Sequence, residues 1–127
     1  MSRNVRGIRR GITIGPMALL VSSRICPRFQ SAADLLGKRW TGLVVQSLLD
    51  GPARFGELSE RLEVVGDRML AVRLRELEQQ EVVERRVLPD RHVEYRLTRK
   101  GKALGRVIGA LARWAEEWVE LPAARTG

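Results

Sequence analysis

DRMLAVRLRELEQQEVVERRVLPDRHVEYRLT, residues 67–98, changes its hydrophobic period halfway along. In the first half Leu70, Leu74 and Leu77 recur at helical spacing and form one apolar seam. Arg68, Val72, Arg75 and Gln79 fall on the opposite side at 100° per residue, a polar and cationic face. In the second half, VVERRVL (82–88) and VEYRLT (93–98) are rich in β-branched residues and alternate with a period of two. Pro89, Asp90, Arg91 and His92 join them, so the pair reads as a β-hairpin with a four-residue turn.

Upstream the pattern is helical throughout. Pro27 suits the first position of a helix whose apolar stripe is Phe29, Ala32, Ala33, Leu35 and Leu36, and Gly37 stops it. In KRWTGLVVQSLLDGP (38–52), Trp40, Leu43, Val44, Ser47 and Leu48 mark one face of a helix ending at Gly51-Pro52. ARFGELSERLE (53–63) is a shorter helix with Phe55, Leu58 and Leu62 inward. Downstream, Thr98 caps a long last helix. Its apolar positions Leu104, Val107, Ile108, Leu111, Trp114, Ala115 and Trp118 form a stripe wider than a small domain needs.

The resulting fold class is mainly α with a small β-hairpin. Two short helices, the second bearing exposed arginines, followed by a hairpin make a winged helix-turn-helix. Such a helix fits the DNA major groove, where arginine bonds guanine O6 and N7 with both arms of its fork. A basic hairpin tip reaches phosphate or the minor groove beside it. Arginine is common on solvated helix faces, but in this winged context Arg68, in the first turn, is expected as a groove contact and Arg75, two turns on, as a phosphate contact. Arg73 lies nearer the seam and pairs with a local glutamate. Arg54, just before the first helix of the motif, and Arg91 at the turn are further DNA candidates, and Lys38, at the start of its helix, is either a phosphate contact or a solvated side chain. His92 fits either a base contact or an incidental turn residue.

Composition bounds the alternatives. A chain of 127 residues with 44% apolar residues makes one domain with a real core. One cysteine, Cys26, excludes an internal disulfide, and with the single His92 it cannot supply a structural zinc site, so no metal or cofactor is expected. Glu57, Glu60 and Glu63 make a solvated acidic face without a partner base. With no phosphate loop either, catalysis has no machinery. The net charge of +8 is uneven: Arg3, Arg6, Arg9, Arg10 and Arg24 carry +5 without an acid, and residues 25–127 only +3. Residues 1–24 thus read as a basic, disordered arm, residues 25–121 as the domain and 122–127 as a tail. The arm has a faint secretory look, with Ser22-Ser23 after the apolar run, but Gly15-Pro16 breaks that short run and no A-x-A cleavage site follows. Met17 is an alternative start. A reducing cytoplasm is the natural compartment.

Four segments in this order, CPRFQSAADLLGKRW (26–40), SLLDGPARFGELSERL (47–62), RMLAVRLRELE (68–78) and VEYRLTRKGKAL (93–104), resemble the HxlR-type regulators, a winged-helix family related to MarR. The resemblance covers about residues 25–120. It implies a homodimeric bacterial transcription factor on a palindromic operator, with the first and last helices forming the dimer. Phe29, Leu104, Val107, Ile108, Leu111, Trp114 and Trp118 would then lie at the interface, recognition on helix 67–80 and the wing on 89–92. A cysteine at the position of Cys26 often senses oxidants, quinones or aldehydes in that family. Its place before Pro27, at the positive end of a helix and between Arg24 and Arg28, suits a thiolate. A cysteine buried and inert at the dimer interface is the other reading. The chain departs from the family at Val64-Val65-Gly66-Asp67, where members usually carry Gly-Ile-Ser-Gln. Beside regulation stands a second class, a winged-helix protein–protein interaction module, because fold alone does not decide function.

Overall fold

The computed structural model describes residues 26–122, so the expected arm at 1–24, with the alternative start, and all but the first residue of the tail lie outside the described residues. The described chain falls into two units, divided after Arg39. The first contains helix α1, Pro27–Gly37. Cys26 is its N-cap residue, whose carbonyl accepts from the Gln30 N–H at 2.9 Å, and Pro27 occupies the first turn, where a missing N–H costs nothing. None of its residues is buried, and Phe29 is 70% exposed.

The second unit runs α2 (Thr41–Ser47), β1 (Ala53–Arg54), α3 (Phe55–Arg61), α4 (Asp67–Gln79), β2 (Val83–Val87), β3 (Val93–Leu97) and α5 (Arg99–Trp118). The sheet is antiparallel in the order β1-β3-β2, with Val83 opposite Leu97, Val87 opposite Val93 and Ala53 opposite Tyr95. The expected seam of α4 is the centre of the core: Leu70, Leu74 and Leu77 are buried with Val44, Val45, Leu58, Val82 and Val83.

Three expectations shift. The helix read as running to Gly51 ends at Ser47, and Trp40 stands outside it as an N-cap residue at φ 76°. Its buried face is Thr41, Val44, Val45 and Leu48, and Leu43 is exposed, a rotation of the stripe away from the expected one. Ala53 and Arg54, read as the start of a helix, form a strand instead. Two residues are too few to show a period, and their pairing with Tyr95 and Glu94 is non-local. The hairpin turn also gains Leu88, whose N–H bonds the His92 carbonyl and whose carbonyl accepts from the Arg91 N–H, both at 2.8 Å. This is a type I turn around Pro89-Asp90, followed by Arg91 in the left-handed region at φ 70°.

Two close approaches lock the unit. At the end of α4 the Glu81 N–H bonds the Glu78 carbonyl and the Val82 N–H the Leu77 carbonyl, with Glu81 at φ 61°. This closes the helix and turns the chain directly into β2. Thr98 then donates its hydroxyl to the Glu81 carbonyl at 2.6 Å and accepts from the Gly101 N–H at 3.0 Å, capping α5. A Cβ on Gly101 would stand 2.1 Å from the Val82 carbonyl oxygen, and one on Gly105 2.3 Å from a Leu49 methyl. The Val82 carbonyl is backbone and cannot turn aside, so Gly101 is needed for α5 to lie this near the rest of the unit, whereas the exposed Leu49 side chain can give way at Gly105.

Candidate nucleic-acid interface

Burying Leu70, Leu74 and Leu77 turns the other side of α4 to solvent. Arg68, Arg75 and Gln79 are exposed on it and Val72 is half-buried. Arg73 bends toward the body and pairs with Glu76 at 2.9 Å, which removes it from this surface. The helix begins at Gly66, whose φ of 82° suits glycine, so its N-cap has no side chain to offer. The adjoining Asp67 instead accepts through Oδ1 from the Ser59 hydroxyl of α3. The Val64-Val65-Gly66-Asp67 departure is thus a built turn: Val65 is buried, Val64 is 70% exposed, and the cap is replaced by a link between the two helices.

The wing tip is organised by a residue that sequence reasoning passed over. The Asp90 carboxylate accepts from the His92 N–H at 3.1 Å and lies 3.1 Å from His92 Nδ1 and 2.9 Å from Arg54 Nη2. The His92 N–H, with smaller help from the His92 ring and the Arg54 charge, outweighs the slight desolvation and holds this carboxyl below its ordinary value. An aspartate bonding the backbone two residues on is a common turn device, and Pro89-Asp90 was its available signal. Two side chains expected to meet DNA, Arg54 and His92, therefore lie against a carboxylate of their own chain. Arg54 also starts α3, its N–H donating to Glu57 Oε1 at 2.8 Å, so Asp90 joins the wing tip to the helix-turn-helix. Arg91 is exposed at the apex and makes no ion pair with a described residue. Lys38 is exposed, but it caps the C-terminus of α1 and does not open the next helix as expected.

On α5 the wide stripe splits in two. Gly101, Gly105 and Ile108 face inward; Ile108 is 4% exposed and belongs to the core of its own chain, which corrects its place among the interface residues. Leu104 is half-buried, and Val107, Leu111, Trp114 and Trp118 are more than half exposed. These five alternate three and four residues apart, the spacing of a helix-pairing seam. Cys26 is exposed in the described chain and carries a free thiol. No helix among the described residues is long and apolar enough to cross a membrane.

A three-stranded wing on a helix-turn-helix whose second helix turns arginines outward defines a winged-helix protein of the MarR type. The HxlR-like helix-turn-helix family matches residues 35–122, and the chain belongs to it. It is a transcriptional regulator and not an enzyme. Over 102 residues it is 47% identical to the HTH-type transcriptional regulator YodB of Bacillus subtilis, covering 79% of this chain and 91% of that one. The reduced form of YodB superposes with a TM-score of 0.70 at 48% identity, covering 77% of this chain and 98% of that one. Its quinone-bound form gives 0.66 at 49% identity, covering 73% and 99%. The redox regulator HypR in its oxidised form gives 0.68 at 32% identity, covering 76% and 100%.

Proposed function

We propose that this chain is a homodimeric, sequence-specific DNA-binding regulator that acts in the cytoplasm and changes its DNA binding when Cys26 meets an oxidant or an electrophile. The observation that carries the reading is the α4 face: Arg68, Arg75 and Gln79 exposed opposite a fully buried leucine seam, with Arg91 at the apex of the adjoining wing. Arg68 is the base contact, in the first turn where such helices meet base edges, and Arg75 a phosphate contact. Arg54 and His92 act through the wing they hold in place. A second copy of the chain covers the exposed seam of α5, since apolar patches of this kind mark interaction surfaces.

For the signal, support comes from the exposed, unbridged Cys26 and from YodB structures in reduced and quinone-bound forms. With one cysteine per chain, the chemistry is limited. A quinone takes up the thiolate by addition, forming one C–S bond, and the ring is reduced to the hydroquinone thioether. A diamide-type oxidant takes two electrons and two protons from a pair of Cys26 thiols, one from each copy, and leaves a disulfide between them.

A gel shift on the intergenic DNA beside the gene tests the proposal, using reduced, quinone-treated and diamide-treated protein. The treated wild type should change its affinity at least about tenfold, equivalent to about 1.4 kcal/mol, and Cys26→Ser should bind like the reduced wild type under every treatment. A response that persists in Cys26→Ser removes the sensor role.

A further inference from the structure

We infer that Asp67 is a specificity-determining residue of the reading helix, its carboxylate accepting a hydrogen bond from an exocyclic amino group, cytosine N4 or adenine N6, in the major groove. The inference rests on α4 being the helix that reads DNA and adds to it an acceptor beside the arginine donors.

Asp67 is exposed in the first turn of α4, immediately before Arg68. That turn is where a recognition helix meets base edges. A carboxylate there repels phosphate, so it cannot serve the backbone contacts that supply most of the affinity. What it can do is accept, and the amino groups of cytosine and adenine are the hydrogen-bond donors that the bases present in the major groove. Three features fit an acceptor held ready for that task. No ion pair with a described residue neutralises it, and Arg68, as its sequence neighbour, points away around the helix. It does not cap its own helix, although its position allows favourable contact with the dipole. The Ser59 hydroxyl holds Oδ1, which fixes the side chain against α3 and leaves Oδ2 as the unshared oxygen. Ordering the carboxylate in advance lowers the entropic cost of using it on DNA. Asp67 and Arg68 then place an acceptor and a donor fork at successive positions, a pair that discriminates amino-bearing from keto-bearing bases.

Binding-site selection from a randomised duplex library, with the full chain and the variants Asp67→Asn and Asp67→Ala, tests this. Asparagine can still accept from Ser59 through Oδ1, so the turn is kept while the free oxygen becomes an amino donor. Wild type should select cytosine or adenine at one position per half-site, with about tenfold preference over the other bases, and the selected base tells the two amino groups apart. Asp67→Asn should move that one position toward a base presenting acceptors, and Asp67→Ala should leave it without preference, every other position being retained. Replacing the selected base by its analogue without the amino group should cost wild type about tenfold and Asp67→Ala nothing. Preference that survives at this position in both variants, or one that weakens equally at all positions, overturns the inference and leaves Asp67 as a turn residue. Wild type that selects no sequence at all instead overturns the reading of α4.

Discussion

Arg91 has a left-handed backbone, φ 70°, at a turn position that glycine occupies without strain. A non-glycine residue there costs about 1 kcal/mol, and the guanidinium it carries is free to reach DNA. Stability and binding should therefore move in opposite directions in Arg91→Gly. Urea unfolding is expected to show a gain of up to about 1 kcal/mol, while affinity for operator DNA falls; equal loss in both would mean that the residue serves the fold. Gly101 shows the opposite dependence. Its missing Cβ makes room for the Val82 carbonyl, so Gly101→Ala should lose about 2–3 kcal/mol by forcing the backbone apart. An unfolding midpoint within error of wild type would contradict the close approach.

Among the elements, the wing depends on one carboxylate. Because folding holds Asp90 below its ordinary pKa, its clasp on His92 and Arg54 is complete at neutral pH and is lost as the pH falls through that lowered value. Hydrogen exchange at the His92 amide should stay slowed from neutrality down to the ordinary range of an aspartate and lose its protection as the pH falls through the lowered value. In Asp90→Asn the protection should be reduced already at pH 7, and equal protection in both proteins would remove Asp90 from this role. The elements themselves were unevenly legible. The leucine seam of α4 and the capping Thr98 were plain, because long periodic segments and their caps write themselves into adjacent residues. Strand β1 was invisible, since Ala53-Arg54 is a strand only by virtue of Tyr95 and Glu94, some forty positions away. The turns at Trp40, Glu81 and Arg91 are left-handed without glycine, so the usual punctuation was missing and the ends of α2 and β2 shifted. The site follows the same division: Arg68, Arg75 and Gln79 follow from helical geometry, whereas the pairing of Arg54 with Asp90 spans 36 positions and needs the folded chain. Ile108 was misplaced because periodicity cannot tell which side of a two-faced apolar helix meets its own core.

For the whole molecule, the proposed occupant of the unburied seam of α5 is a second copy of the chain. Sedimentation at micromolar concentration should give a dimer for wild type and a monomer for Trp114→Glu, which puts a charge into the seam without touching the inward face of Gly101, Gly105 and Ile108. A wild type that sediments as a monomer would contradict the assignment. In the proposed dimer, two copies of α4 would have to stand about 34–36 Å apart to read both halves of a palindrome. The cationic face of α4 and the wing are proposed to read DNA. The most direct test is fluorescence anisotropy of the operator and of unrelated DNA with wild type and Arg68→Ala across salt concentration. Wild-type affinity should fall about a thousandfold or more between 50 and 200 mM salt. Arg68→Ala should narrow the preference for operator over unrelated DNA by about 5- to 100-fold, with little change in affinity for the unrelated duplex. Affinity and preference both unchanged in Arg68→Ala would contradict the account.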